Sequence, residues 1–211
     1  MNKYIDISCI DLELNKSEKI VELEVYAHKN NVPIIQNEGL KVLLNLIENN
    51  KIKKILEIGT AIGYSAIMMA NVNEDIIVHS IERNQEMYNQ AIKNIKDFNK
   101  EKQIKVFFGD ALLLDNNLFD SDYDLIFIDA AKAQYQKFFE KYQVLLKNNG
   151  FIFSDNLLFH GLVEEKGEIA SKNLRSLVKK IRLFNDYLKG LDNYDTYFLR
   201  VGDGIAISVK K

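Results

Sequence analysis

The sequence contains no tryptophan, a single cysteine (Cys9) and a single proline (Pro33). One cysteine excludes a disulfide within the chain. The lone proline and the lack of glycine- or serine-rich stretches argue against an internal linker, so we expect one domain over residues 1–211. No apolar run approaches the length of a membrane span, and the first residues lack the apolar segment of a signal peptide. We therefore expect a cytoplasmic protein.

The charge of the chain is nearly balanced. There are 28 Lys and Arg residues against 30 Asp and Glu, which gives a formal net charge of −2. This excludes a global basic field, so any contact with nucleic acid has to come from a local patch. The hydrophobic fraction of 47% is sufficient for a buried core. Composition therefore indicates a globular enzyme or binding protein.

Hydrophobic periodicity predicts two N-terminal helices at residues 15–30 and 38–49, followed by a regular alternation of strands and helices. The predicted strands are 53–59, 75–82, 104–110, 123–129, 150–156, 194–202 and 204–210, and the predicted helices are 64–71, 84–98, 134–146 and about 170–190. Apolar strands that alternate with helices indicate a parallel sheet covered on both faces. Only Asp203 separates the last two strands, so they must be antiparallel. We predict an α/β fold with a seven-stranded, mostly parallel sheet, a C-terminal antiparallel hairpin, an N-terminal helical cap (1–50) and a core (51–211).

Ligands of such sheets bind at the carboxyl ends of the strands. In the stretch LEIGTAIGYS, Gly59 and Gly63 bracket a tight strand-to-helix turn, and the next helix offers free N–H groups. The following strands end in Glu82, which suits the hydroxyls of a ribose, and in Asp110, which suits an adenine amino group. The pattern E-x-G-x-x-x-G, which starts at Glu57, differs from the G-x-G-x-x-G of NAD proteins. It favours S-adenosylmethionine over NAD, although turn glycines and surface acids would explain each residue taken alone.

Two apolar strands end in side chains with oxygen ligands. LIFIDAAK leads to Asp129 and Lys132, and FIFSDN leads to Asp155 and Asn156. Two carboxylates and an amide oxygen are hard ligands that suit Mg²⁺. Lys132 can then accept a hydroxyl proton or steady the resulting anion. The alternative is a turn cap at Asp155 and Asn156 and a solvated lysine, but the two motifs together favour the metal site.

Five stretches together resemble the metal-dependent catechol- and caffeoyl-CoA-type O-methyltransferases: LEIGTAIGYSAIMMA, SIERN, FIDAAK, SDN and VGDGIAIS. The resemblance extends from about residue 30 to the C-terminus. Within that family, NVPIIQNEG, IDAAKAQYQKFFE, SDNLLFHGLV and NYDTYFLRVGDGIAIS resemble the bacterial tRNA 5-hydroxyuridine methyltransferases. The resemblance implies a Rossmann-like class I methyltransferase fold, S-adenosylmethionine as methyl donor, a divalent cation, usually Mg²⁺, and often a homodimer.

The resemblance also implies roles for individual residues. Its metal ligands fall on Asp129, Asp155 and Asn156, and its catalytic residues on Lys132 and Asp129. The segment 35–38 is expected to close over the methyl donor. The residues expected to bind the cofactor are Ile35, Glu38, Glu57, Gly59, Thr60, Gly63, Tyr64, Ser65, Glu82, Arg83, Asp110, Ala111 and Asp129.

Two departures from the catechol pattern bear on the substrate. Ala131 stands where catechol enzymes place a tryptophan, and Tyr197 stands where they place an acid. Both changes favour a wider pocket than a catechol needs. After SDN the chain continues with a helix rich in basic residues, which predicts a local phosphate-binding patch, with a solvated helix face as the alternative. The candidates for contact with substrate or RNA are His160, Lys172, Arg175, Lys179 and Tyr197.

These patterns lead to one expected function and two alternatives. The expected function is O-methylation of 5-hydroxyuridine at the wobble position of tRNA (U34), which gives 5-methoxyuridine and makes the tRNA anticodon loop the partner. The first alternative is an O-methyltransferase of small molecules such as catechols or caffeoyl-CoA. The second is a regulator that binds S-adenosylmethionine or NAD without catalysis.

Overall fold

The computed structural model describes residues 5–6, 14, 16–158, 161–164 and 171–211. Cys9 and His160 lie outside the described residues. The helices are α1 (Glu18–Lys29), α2 (Asn37–Asn49), α3 (Tyr64–Val72), α4 (Gln85–Asp97), α5 (Tyr135–Tyr142) and α6 (Lys172–Lys189). The strands are β1 (Ile5–Asp6), β2 (Lys54–Ile58), β3 (Ile77–Glu82), β4 (Ile104–Phe108), β5 (Tyr123–Ile128), β6 (Leu146–Ser154), β7 (Tyr194–Arg200) and β8 (Ile205–Lys210). Within the described ranges, no helix is long and apolar enough to cross a membrane.

The strands form one mixed sheet in the order β1-β7-β8-β6-β5-β2-β3-β4. Strands β2 to β6 pair in parallel, and β8 is antiparallel to both β6 and β7. The seven predicted strands and the C-terminal hairpin are therefore confirmed. The short strand β1 adds an edge next to β7. It was not predicted because two residues are too few to show an alternating pattern.

The helix boundaries differ from the predicted ones where local hydrogen bonds fix the helix ends. The side chain of Ser17 caps α1 by accepting the N–H of Ile20, so this helix starts later than predicted. Asn84 and Ser171 cap α4 and α6 in the same way. By contrast, α3 begins at Tyr64, and the preceding Gly63 provides no side-chain cap. The predicted helix 134–146 is α-helical only in α5 and has a 3₁₀ turn on each side.

Apolar side chains cover both faces of the sheet. Neighbouring residues of each central strand point to opposite faces, as Phe127 and Ile126 do in β5. One face packs against helices α1 to α4, and the other packs against α5 and α6. Because both faces are covered, the central strands are accessible at their ends, and in sheets of this kind ligands bind at the carboxyl ends.

Between β2 and β5 the strand order changes direction, which makes this the topological switch point of the sheet. From β2 the chain continues through α3 to β3 on one side, while β5 lies on the other side. The N–H of Asp129 donates to the carbonyl of Ile58 at 3.1 Å, so the residues that follow both strands lie side by side. In doubly wound sheets this switch point is where ligands bind.

Candidate functional site

A cavity of about 380 Å³ lies at the carboxyl ends of β2, β3, β4 and β5. Most of the predicted cofactor residues line it: Ile35, Gly59, Thr60, Tyr64, Ser65, Glu82, Arg83, Asp110, Ala111 and Asp129, together with Lys132. Three predicted residues, Glu38, Glu57 and Gly63, do not line it. Glu38 is exposed in the first turn of α2.

The cavity wall also includes residues that the sequence patterns do not indicate, among them Pro33, Ile34, Ala61, Met87, Gln134 and Phe138. Met87 and Phe138 lie on the apolar faces of α4 and α5, and such residues usually belong to the core. Their presence in the cavity wall follows from where each helix begins. The first turns of both helices lie above the strand ends, so side chains there reach the site.

The loop after β2 passes very close to the end of β5. Gly59 has a φ of +105°, and a Cβ built there would lie 2.1 Å from the backbone oxygen of Asp129. No side chain fits in that space, so glycine is required. The predicted glycine turn is therefore present, and its reason is contact with the neighbouring strand as well as access for a ligand.

Glu82 ties this loop to β3. One carboxylate oxygen accepts the N–H of Ala61 at 2.8 Å, and the other accepts the N–H of Asn84 at 2.7 Å. A carboxylate has about four acceptor sites, so each oxygen keeps one for a ligand. Since Glu82 lines the cavity, the remaining sites suit the two hydroxyls of a ribose.

Glu57 acts behind the cavity rather than in it. Its fully buried carboxylate accepts hydrogen bonds from the hydroxyls of Ser65 and Ser80. Burial raises the pKa of Glu57 to about 7, although the two hydroxyls oppose the rise. Ser65 lines the cavity, so Glu57 fixes the orientation of a lining residue instead of contacting a ligand itself.

The opposite end of the cavity is formed by the loop after β4. Asp110 accepts the N–H of Leu112 at 2.8 Å through one carboxylate oxygen, and its other oxygen lies 3.8 Å from the guanidinium of Arg83. This leaves acceptor capacity for a donor such as an adenine amino group. The structure thus brings Glu82, Arg83 and Asp110 together, as the sequence predicts.

Tyr64 connects the cavity to the N-terminal helices. Its hydroxyl donates to Glu24 of α1, which also pairs with Lys16. The ammonium of Lys16 donates to the side chain of Asn37 at 2.5 Å. Glu24 is 40 residues from Tyr64 in the sequence, and no local pattern indicates such a contact.

Asp129, Asp155 and Asn156 converge at the ends of β5 and β6. The amide of Asn156 lies 2.9 Å from an oxygen of Asp155 and 3.5 Å from one of Asp129. Burial raises the pKa of both carboxyls; their mutual repulsion adds to this for Asp155, and nearby Lys132 opposes it for Asp129. Asp155 is buried and Asp129 is partly buried, and two carboxylates brought together in this way are unfavourable without a compensating cation.

The three residues fit a divalent cation in donor type. Within the described residues, no group of three or more side chains drawn only from His, Cys, Asp and Glu could hold an ion. The set here differs because its third donor is an amide. Two carboxylates and one amide, completed by water, suit Mg²⁺. The amide now directs its nitrogen at the carboxylates, and half a turn of that amide would direct its oxygen there instead.

Those predicted RNA candidates that the structure describes do not line the cavity. Lys172, Arg175 and Lys179 are exposed on α6, and His160 lies outside the described residues. Tyr197 is 50% exposed in β7 and does not line the cavity. In the same helix, the guanidinium of Arg182 donates to the carbonyls of Val163 and Leu162 at 2.8 and 3.3 Å. Arg182 thus holds the segment 161–164 beside α6.

Comparison with known proteins gives the same family from sequence and from structure. An O-methyltransferase family model matches residues 9–211. A caffeoyl-CoA O-methyltransferase of Stellaria longipes is 32% identical over 79% of this chain and 71% of its own length. A Staphylococcus aureus structure, provisionally assigned as a caffeoyl-CoA O-methyltransferase, is 45% identical with a TM-score of 0.89 over 93% of both chains. A Bacillus cereus O-methyltransferase, solved with S-adenosylhomocysteine (SAH), is 26% identical with a TM-score of 0.82 over 95% of this chain and 94% of its own.

Proposed function

The chain belongs to the O-methyltransferase family, and on that basis we propose that it transfers a methyl group from S-adenosylmethionine to the 5-hydroxyl of 5-hydroxyuridine at the wobble position of tRNA. The observation on which this rests is the shape of the site. One cavity joins Glu82 and Asp110 at one end to Asp129 and Lys132 at the other. It thus offers acceptors for a nucleoside beside the neighbouring carboxylates of Asp129 and Asp155.

The residues divide the binding of the methyl donor between them. Glu82 offers its remaining acceptor sites to the ribose, and Asp110 offers one to the adenine. Gly59, Tyr64 and Ser65 bound the part of the cavity that takes the methionine moiety. The bound donor supplies an electrophilic methyl group on a sulfonium. The role of the protein is to hold that methyl group in line with the acceptor oxygen.

Asp129, Asp155 and Asn156 would hold a divalent cation, which supplies a positive charge that lowers the pKa of the acceptor hydroxyl. Lys132 lines the cavity at this end and lies close enough to Asp129 and Asp155 to act on their pKa values. We assign the proton of the acceptor hydroxyl to the Nζ of Lys132, which accepts it as a neutral amine. The methyl group moves to the acceptor oxygen, and the donor leaves as SAH.

Two features support an RNA substrate. The residues between Asp129 and Lys132 are Ala130 and Ala131, and Ala131 is exposed, so neither of these two positions supplies an aromatic side chain to the cavity wall. The exposed basic residues of α6 follow β6 in the chain and suit contacts with phosphate groups. The 5-hydroxyl and the adjacent 4-carbonyl of 5-hydroxyuridine present the same pair of oxygens as the edge of a catechol. A wobble base lies in a single-stranded loop, where turning a base outward costs little.

The second candidate function is methylation of a small molecule such as caffeoyl-CoA. It is favoured by the names of the relatives, since both the plant enzyme and the S. aureus structure are described in those terms. The same Asp129, Lys132 and Asp155 would serve either acceptor. The two functions differ in whether the basic face of α6 contributes to turnover.

The test offers the purified protein, with S-adenosylmethionine and Mg²⁺, either tRNA that contains 5-hydroxyuridine or a free catechol or caffeoyl-CoA. Mass spectrometry of the tRNA nucleosides should show 5-methoxyuridine, and Lys132→Met should reduce its formation by about 100-fold or more. The double variant Lys172→Glu with Lys179→Glu reverses two charges on α6. It should lower the rate of tRNA methylation and make that rate less dependent on salt concentration. Turnover of the small molecules without any turnover of tRNA would refute the proposal in favour of the second candidate.

We also propose that the protein acts in the cytoplasm, forms a homodimer and consists of a single domain. Sedimentation of the purified protein, with and without tRNA, tests the oligomeric state directly. A chain that sediments as a monomer in both conditions would refute the homodimer.

A further inference from the structure

The loop that forms the adenine end of the cavity has its own internal hydrogen bonds. Gly109, Asp110, Ala111 and Leu112 line the cavity. The N–H groups of Leu113 and Leu114 both donate to the backbone oxygen of Asp110, at 2.8 and 3.0 Å. These bonds satisfy N–H groups of the turn, but the carbonyl groups of residues 111–114 need hydrogen-bond donors from outside the turn.

Two adjacent residues at the end of α5 satisfy those carbonyls. The hydroxyl of Tyr142, which is fully buried, donates to the carbonyl of Ala111 at 2.6 Å. The ammonium of Lys141 donates to the carbonyls of Leu112 at 2.9 Å and Leu114 at 2.5 Å. Three of the four carbonyls of residues 111–114 are thus held by one turn of one helix.

Lys141 is suited to this task by charge as well as by reach. Its stem passes through partly buried surroundings, and burial lowers its pKa while the charges of Asp110 and Asp115 oppose the change. Its own backbone carbonyl accepts the side-chain N–H of Asn116 at 3.1 Å, so the loop also holds the helix. A neutral side chain of similar length would leave two carbonyls without a donor.

The other end of α5 lies at the catalytic end of the same cavity. Gln134, which precedes this helix, and Phe138 in it both line the cavity, and both follow Lys132 closely in sequence. One short helix therefore borders the cavity at its start and fixes the adenine loop at its end. A displacement of the loop away from α5 would widen the cavity at the position of the adenine.

We propose that Lys141 is a positioning residue for the methyl donor: its ammonium holds loop 110–114 in the shape that receives the adenine. The inference rests on the proposed function, because it takes an adenine nucleoside as the occupant of this end. Lys141 does not line the cavity, so its effect reaches the ligand only through the loop. The side chain is therefore expected to matter for affinity and not for the chemical step.

The test compares Lys141→Met with Lys137→Met in the full chain by calorimetric titration with SAH and, separately, with adenosine. Lys137 is exposed on the same helix and serves as the matched control. Lys141→Met should weaken both ligands by about the same factor, roughly tenfold, because two carbonyls lose a charged donor. Lys137→Met should match the wild type. In turnover, Lys141→Met should raise the KM for S-adenosylmethionine and leave kcat unchanged.

Adenosine is the decisive ligand because it lacks the methionine moiety that would contact the loop at Gly59. Loss of SAH affinity with unchanged adenosine affinity would overturn the inference, and so would unchanged binding of both ligands. Tyr142→Phe, which removes one hydroxyl with little change of volume, should weaken adenosine about threefold if the clamp acts as described. A wild-type chain that binds neither ligand would refute the proposed cofactor itself, whereas binding that is insensitive to Lys141 refutes only its positioning role.

Discussion

Replacing Gly59 by alanine is expected to destabilise the protein and displace Asp129. The residue has a φ of +105°, and the new Cβ would lie 2.1 Å from the carbonyl oxygen of Asp129. Ordinary contact requires the two segments to separate by roughly 1 Å or more. That movement strains the 3.1 Å hydrogen bond from the N–H of Asp129 to the carbonyl of Ile58, which joins the ends of β5 and β2.

The size of the effect follows from comparison with Gly63, which belongs to the same loop. Its φ is +85°, but a Cβ there would lie 3.5 Å from Ala91, an ordinary contact. A positive φ alone costs alanine about 1–2 kcal/mol. Gly59→Ala adds the clash and the strained hydrogen bond, so we expect a loss of about 3 kcal/mol or more in the free energy of unfolding.

Thermal unfolding followed by circular dichroism measures the difference. In a chain of this size, 1 kcal/mol corresponds to about 2–4 °C in Tm. Gly63→Ala should therefore lower Tm by about 2–8 °C, and Gly59→Ala by about 6–12 °C. If Gly59→Ala costs no more than Gly63→Ala, the close approach of the two segments does not constrain the protein, and the reasoning is refuted.

Three further predictions concern the ionisable groups. Lys132→Met should reduce methyl transfer by about 100-fold or more with SAH binding retained; a rate close to wild type would remove Lys132 from the chemistry. Burial raises the pKa of Glu57 from its ordinary 4.5 to about 7, so the folded state keeps a proton that the unfolded state releases. The contribution of Glu57 to stability is full below about pH 4.5 and is lost as the pH rises through about 7. In the metal-free protein, urea unfolding across this range should show the decline. Glu57→Gln should make the decline shallower, and the raised pKa values of Asp129 and Asp155 account for the part that remains. Mg²⁺ added to EDTA-treated protein should stabilise it by about 2–3 kcal/mol at roughly 100 times its Kd, since a cation favours the charged forms of Asp129 and Asp155. A Tm that does not change with Mg²⁺, or a rise in Tm that persists in Asp155→Asn, would contradict the metal site.

Much of the candidate site was predictable because it consists of strand ends. A buried parallel strand shows a continuous apolar run, and the first polar residue after it marks the carboxyl end of the sheet. Asp129 and Asp155 were found in this way, as was Glu82. Parallel strands bring their ends to one edge, so pattern alone was enough to expect these side chains near one another.

Residues that support the site were not predictable in the same way. Glu57 looked like a ligand residue, and the structure instead places its carboxylate behind Ser65, because the side chains of a strand alternate between faces. Glu24 reaches Tyr64 from another helix. Lys141 looks like any exposed lysine of an amphipathic helix until its two carbonyl partners are known.

Hydrophobic period and the polarity of strand ends are local properties of the chain, and they are enough to predict which elements form and where the polar groups of the site gather. The folded chain alone shows how close Gly59 comes to Asp129, that α5 holds the loop after Asp110, and that the amide of Asn156 lies between Asp129 and Asp155. Those contacts depend on the order and spacing of strands that are far apart in sequence. Packing fixes such distances, and no local pattern records them.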